Sequence, residues 1–283
     1  MKTSQAISYR PPLIIGHRGN SGNPLNTIEI ENTIESVDSA WDVGADGIEL
    51  DVQMTRDGVL VPHHDDYLGR VFRLPDTPHF YWHACVDKQR IVECTYSELQ
   101  SAKSELDPKA RIPRLEEILP IPEGKLLFLE LKFPGNKPPT DTEYLQRLVR
   151  KVVDLINEHK LQEQVIVISF VGESLNEVKN LNSNIRTGID VCRGEAKSGS
   201  KIQELKKSYG INCILPPFGQ VSQILGNTIM DCHCSDLEVY PWVWKQNTYG
   251  EVRKAIRLIE MGADGIITNQ VGILKAFVKE SHI

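Results

Sequence analysis

Residues 44–65 read Gly44-Ala45-Asp46-Gly47-Ile48-Glu49-Leu50-Asp51-Val52-Gln53-Met54-Thr55-Arg56-Asp57-Gly58-Val59-Leu60-Val61-Pro62-His63-His64-Asp65. In an extended chain successive side chains point to opposite faces, so Glu49, Asp51 and Gln53 share one side and Ile48, Leu50 and Val52 the other. Two carboxylates therefore enter the same space from a strand that is otherwise apolar. Burying an ionised carboxylate without a partner is expensive, so such a pair holds a cation, makes a salt bridge, or lies on the solvated face of an edge strand. The rest of the sequence decides among these.

Leu126-Leu127-Phe128-Leu129-Glu130-Leu131-Lys132 repeats the pattern, with Leu127, Leu129 and Leu131 on one face and Phe128, Glu130 and Lys132 on the other. A purely structural Glu130–Lys132 bridge is one reading. The other is a third acid completing an all-oxygen cage, which suits Mg²⁺ or Ca²⁺ better than zinc. Arg18 and Lys132 add fixed positive charge, as a phosphate held beside such a cation requires. His17, after the first apolar run Leu13-Ile14-Ile15, and His64, just beyond the second strand, could flank that phosphate as proton acceptor and donor. His63 must point elsewhere in an extended segment. Trp242 and Trp244 alternate along a later strand, where they either line the pocket for an alcohol or headgroup or fill the core.

Outward from these stretches the chain alternates strand and helix. Strands are predicted at 13–15, 47–53, 126–132, 164–169, 185–189, 211–215, 238–243 and 264–268, with a further short one at 59–61. Ile30, Ile34, Val37 and Trp41 fall at helical spacing ahead of Gly44. Capping boxes are read at Thr95–Glu98, Thr140–Glu143 and Thr248–Glu251. Eight strand–helix units in 283 residues predict an α/β fold, a (β/α)8 TIM barrel as one domain over 1–283, with a small insertion after the second strand at about 66–111. Gly44-Ala45-Asp46-Gly47-Ile48 recurs as Gly262-Ala263-Asp264-Gly265-Ile266, each time where a helix hands over to a strand. An open doubly wound sheet is the alternative, but no Gly-x-Gly-x-x-Gly follows a strand. In such a barrel the site lies at the carboxyl ends of the strands, where His17, Arg18, Glu49, Asp51, His64, Glu130 and Lys132 all fall.

A net charge of −6 gives no electrostatic case for nucleic acid or an anionic membrane, so the expected partner is a small phosphodiester. No apolar stretch reaches membrane-span length, and the first ten residues lack the apolar core of a signal peptide, so a cytoplasmic location is expected. Six scattered cysteines are expected to be reduced, with Cys232-His233-Cys234 read as a surface loop and not a zinc site.

Taken in order, His17-Arg18-Gly19, Glu31-Asn32-Thr33, Gly44-Ala45-Asp46, Ile48-Glu49-Leu50-Asp51-Val52, Thr55-x-Asp57-Gly58, His64-Asp65, Ile112 to Leu119, Glu130-Leu131-Lys132, Ser169-Phe170, the Trp242 strand and Gly262 to Thr268 strongly resemble the glycerophosphodiester phosphodiesterase family. The resemblance spans nearly the whole chain. It implies a barrel with an insertion after the second strand and hydrolysis of glycerophosphodiesters to glycerol 3-phosphate and an alcohol. It further implies that Glu49, Asp51 and Glu130 hold a divalent metal, that His17 and His64 act as general acid and base, and that Arg18 and Lys132 contact phosphate. Glu31 and Asn32 would stand behind the ligands. Ile30 replaces the family's usual proline before Glu31, and Asn269 stands where an aspartate is common. A lysophospholipase D gripping an acyl chain with the aromatic 66–111 segment, and a catalytically silent phosphometabolite-binding barrel, are the alternatives.

Overall fold

The computed structural model describes residues 11–21, 29–75, 89–133, 138, 142–192, 195–196, 198–218, 228–243 and 248–281. The chain runs β1 (Leu13–His17), α1 (Ile34–Asp42), β2 (Gly47–Met54), β3 (Leu60–Pro62), α2 (Tyr96–Leu99), β4 (Leu126–Leu131) and α3 (Thr142–Glu158). It continues through β5 (Val165–Ser169), α4 (Gly172–Leu181), β6 (Arg186–Asp190), α5 (Gly199–Tyr209), β7 (Cys213–Leu215) and helical residues 228–234, here α6. β8 (Glu238–Val239), β9 (Trp242–Val243), α7 (Thr248–Glu260), β10 (Gly265–Thr268) and α8 (Val271–Glu280) complete it.

One sheet takes the order β8-β7-β6-β5-β4-β2-β1-β10-β9, parallel throughout, with β3 added antiparallel to β2. Its two ends, β8 and β9, are consecutive in the chain and separated only by Tyr240-Pro241. β8 pairs with β7 and β9 with β10, while Tyr240 N donates to Ile214 O and Ile267 N to Pro241 O. The sheet therefore curls round so that both ends meet on residues 238–243, a TIM-barrel-like arrangement. The strand predicted there is split in two because Pro241 carries no N–H for the ladder.

Alternation along the strands separates two cores. Ile48, Leu50 and Val52 of β2 and Leu127, Leu129 and Leu131 of β4 face the helices, joining α3 residues such as Leu148, Val152 and Ile156 at helical spacing. The opposite faces meet inside the curl, where Ile15, Phe128, Ile166, Ile168, Cys213, Leu215, Tyr240 and Ile267 form a second cluster. Glu49, Asp51 and Glu130 belong to that inward side, towards its carboxyl end.

The repeated pentapeptide has a physical cause. Gly44 and Gly262 adopt left-handed φ of 85° and 91° after α1 and α7. Asp46 then clamps β1: its N donates to Ile14 O, and its carboxylate accepts from Ile14 N at 2.9 Å. Asp264 does the same to β8, with N donating to Val239 O and the carboxylate accepting from Val239 N at 2.7 Å. A Cβ at Gly47 or Gly265 would meet the carbonyl oxygen of Leu126 or Leu13 at 3.0 and 2.7 Å.

Several expectations need adjustment. Ile30 lies outside α1, because Asn32 takes a left-handed φ of 60° and Thr33 is the N-cap, its side chain accepting from Ser36 N. Ile30 instead joins Val61, Leu68, Phe72, Ile91, Leu99 and Ile112 in a third cluster that covers the described part of 66–111. The capping box at Thr95–Glu98 forms. Thr140, Trp244 and the aromatics Phe80, Tyr81 and Trp82 lie outside the described residues, and Thr248 opens α7. Cys232-His233-Cys234 is not a loop but the end of α6: Cys232 is buried in the core, Cys234 is exposed and His233 Nε2 lies 2.9 Å from Asp264 Oδ2.

Candidate active site

At the carboxyl ends of the strands a cavity of about 450 Å³ opens. His17 ends β1, Glu49 comes from β2, Glu130 from β4 with Lys132 just beyond it, and His64 follows β3; all of them, with Arg18, line this cavity. Asp51, on the inward side of β2, is level with Glu130 in the strand register. The predicted site residues are thus brought together, except Trp244, which is not described.

Oxygen atoms of Glu49, Asp51 and Glu130 lie within 4.8 Å of one another, and all three residues are buried. The flanking bases engage them closely. Lys132 Nζ donates to Glu130 Oε1 at 2.8 Å and lies 3.6 Å from Asp51 Oδ1. Arg18 Nε lies 3.3 Å from Asp51 Oδ2, and the Arg18 backbone, held at a φ of 55°, donates N–H to Glu49 Oε2 at 3.0 Å. Asn32 Nδ2 donates to Asp51 Oδ2 at 2.9 Å, and Asp51 N donates to Asn32 Oδ1.

The Glu130–Lys132 bridge is therefore real, but it does not neutralise the cluster. Three carboxylates face two basic side chains, and Glu49 Oε1 is buried with no hydrogen-bond partner among the described residues. Burial, reinforced by repulsion from Asp51 and Glu130, pushes the Glu49 carboxyl well above its ordinary range. Burial also raises Glu130, outweighing Lys132. Asp51 goes the other way, because against burial the charges of Arg18 and then Lys132 hold it well below the usual carboxylate range. An orphaned buried oxygen, an excess of negative charge and three hard donors within one ion's reach fit a divalent cation.

The two histidines are held differently. His17 Nδ1 lies 2.9 Å from Asn269 Oδ1; an amide oxygen only accepts, so the hydrogen sits on Nδ1 and Nε2 keeps its lone pair, 4.0 Å from Glu49 Oε2. Burial, with help from Arg18, lowers the His17 imidazole to about 3, so it is neutral at pH 7. His64 Nδ1 lies 2.7 Å from Asp65 Oδ1, which likewise leaves Nε2 free. His63 is buried against Phe72, directed away from its neighbour as expected.

Beyond the predicted residues lies a network that sequence reasoning missed. Arg70 donates to Asp65 through Nε at 2.6 Å and to both carboxylate oxygens of Glu31, while Arg18 NH1 donates to Glu31 at 2.8 Å. Residues Glu31, Arg70 and Asp65 thereby join the two ends of the site. Asn269, noted in the sequence only as a departure, orients His17. Asp190, closing β6, lines the cavity and is 5% exposed. In the sequence it is a single acid just after the strand predicted at 185–189. Trp242 lines the cavity and also packs against the inner cluster.

A family model described as the glycerophosphoryl diester phosphodiesterase family matches residues 17–273. The chain belongs to this family. It is 28% identical over 280 residues to a glycerophosphodiester phosphodiesterase of Caldanaerobacter subterraneus subsp. tengcongensis, covering 95% of this chain and 98% of that one. A structure from Silicibacter pomeroyi has a TM-score of 0.80 at 22% identity, covering 96% of this chain and 95% of that one. A phosphodiesterase of Oleispira antarctica, solved with the product sn-glycerol-3-phosphate, has a TM-score of 0.72 at 21% identity, covering 95% of this chain and 97% of that one. These structural likenesses establish the fold. Among the described residues no helix is long and apolar enough to cross a membrane.

Proposed function

We propose that this member of the glycerophosphoryl diester phosphodiesterase family hydrolyses small glycerophosphodiesters to glycerol 3-phosphate and an alcohol, with His17 and His64 moving the protons. The reading rests above all on one cavity uniting three converging carboxylates, two basic side chains and two imidazoles whose free nitrogens are defined by their partners.

Glu49, Asp51 and Glu130 would hold Mg²⁺ or Ca²⁺, which when bound supplies positive charge beside the phosphoryl oxygens. Arg18 and Lys132, anchored on those same acids, add fixed positive charge for the phosphate. His17 Nε2, unprotonated near neutral pH, is suited to take the proton of the attacking oxygen, and His64 to give one to the departing alkoxide. Water or the adjacent glycerol hydroxyl can serve as nucleophile with the same pair. Asp65 and Arg70 keep the His64 ring in place, Asn269 does so for His17, and Glu31 and Asn32 stand behind the ligands.

The reading includes one domain over 1–283, an insertion at about 66–111, a cytoplasmic location and no nucleic-acid partner; a net charge of −6 supports the last. Release of glycerol 3-phosphate should be measured across a panel of glycerophosphodiesters with wild type, His17→Ala and His64→Ala. Each variant should lose about 10²–10⁴-fold in kcat with its melting curve preserved. Near-normal rates in both would refute the assignment.

A further inference from the structure

Asp190 has no part in the chemistry above, yet it is placed as a recognition group. Around the curled sheet β6 is separated from β1 by β2, β4 and β5 on one side and by β7, residues 238–243 and β10 on the other. Asp190 thus lies across the cavity from His17 and Arg18. In the strand register Asp51, Glu130, Ile168 and Gly188 are level, and Asp190 stands two residues beyond Gly188, nearer the mouth and on the same face. Its Oδ2 is buried with no hydrogen-bond partner among the described residues, and its side chain lines the cavity. On the same half of the wall Trp242 Nε1 is also buried without a partner among the described residues.

An orphaned buried acceptor or donor costs stability unless something completes it. Here one of each belongs to residues that line the same cavity. A quaternary ammonium can meet the Asp190 charge but has no lone pair for Trp242 Nε1, and a carboxylate cannot donate. A hydroxyl does both. We propose that Asp190, with Trp242 Nε1, forms a hydroxyl-binding subsite for an alcohol arm of the diester, either the glycerol or a polyol that departs; this rests on the phosphodiesterase reading. Asp190 is then a specificity residue for hydroxyl-bearing alcohols.

The test has two arms, with Mg²⁺ or Ca²⁺ in excess and folding of Asp190→Ala, Asp190→Asn and Trp242→Phe checked by thermal melting. Calorimetric binding of glycerol 3-phosphate and methyl phosphate reads the glycerol arm without turnover. The KM values for glycerophosphoglycerol and glycerophosphocholine read the departing arm. In one arm Asp190→Ala should weaken the hydroxyl-bearing ligand about tenfold or more relative to its control, with Asp190→Asn, which keeps an acceptor, in between. Trp242→Phe should act in the same arm. Equal loss for both ligands in both arms, or no loss in either, would overturn the subsite. Absence of all wild-type turnover would instead sink the proposed activity while the binding arm still reports on Asp190.

Discussion

Glu49 bears the cost of the site most directly. Its carboxyl is buried and raised above the ordinary range, so between pH 4.5 and its raised value the folded state binds more protons than the unfolded one and stability falls as pH rises. Glu49→Gln should therefore raise the melting temperature of chelator-treated protein at pH 7.5, by about 2–4 °C for each kcal/mol recovered. Mg²⁺ or Ca²⁺ should raise the melting temperature of wild type, and Glu49→Gln should abolish that shift. Calorimetric scans with and without chelator check both; a lower melting point with an intact ion response would contradict them. His17 has the opposite sign. Its imidazole is lowered from 6.5 to about 3, so across that window the unfolded state binds the extra proton, and stability rises with pH up to about 6.5 and then levels. In urea titrations His17→Asn should flatten that rise relative to wild type. The acids and Lys132 were legible in the sequence because period two puts them on a known face, and His17, Arg18 and His64 because they stand at strand ends, where a barrel's site lies. Asp190 and Arg70 were not: a single acid at the end of a mixed strand and an arginine in a loop acquire meaning only from neighbours distant in sequence.

The strand ends aim these groups, and β1 does so through its glycines. A Cβ at Gly16 would lie 2.6 Å from the Gly19 carbonyl oxygen, a backbone contact that cannot swing aside. Gly16→Ala should displace the turn carrying His17 and Arg18, lowering kcat at least about tenfold while the circular dichroism spectrum stays that of wild type. Wild-type kcat would show that the turn tolerates the shift. Most elements could be read from their patterns, with ends moved by a residue or two. The exceptions have local causes. Pro241 interrupts one strand, the left-handed Asn32 delays α1, and in Cys232-His233-Cys234 the residue types suggested a loop whereas Cys232 is a core residue of a helix. The pentapeptide repeat carried more than a turn signal, since its aspartates clamp β1 and β8.

The chain as folded combines an apolar curled sheet with a charged mouth whose carboxylates outnumber its bases. That imbalance is destabilising alone and becomes useful when a divalent ion is bound, so activity and ion occupancy should rise and fall together. The direct check is glycerol 3-phosphate release from a glycerophosphodiester before dialysis against a chelator, after it, and after Mg²⁺ or Ca²⁺ is returned, in wild type and Glu130→Gln. The account predicts that wild-type turnover disappears on chelation and returns with the ion, and that Glu130→Gln stays impaired at ion concentrations that saturate wild type. Full turnover by the exhaustively chelated wild-type protein would contradict it.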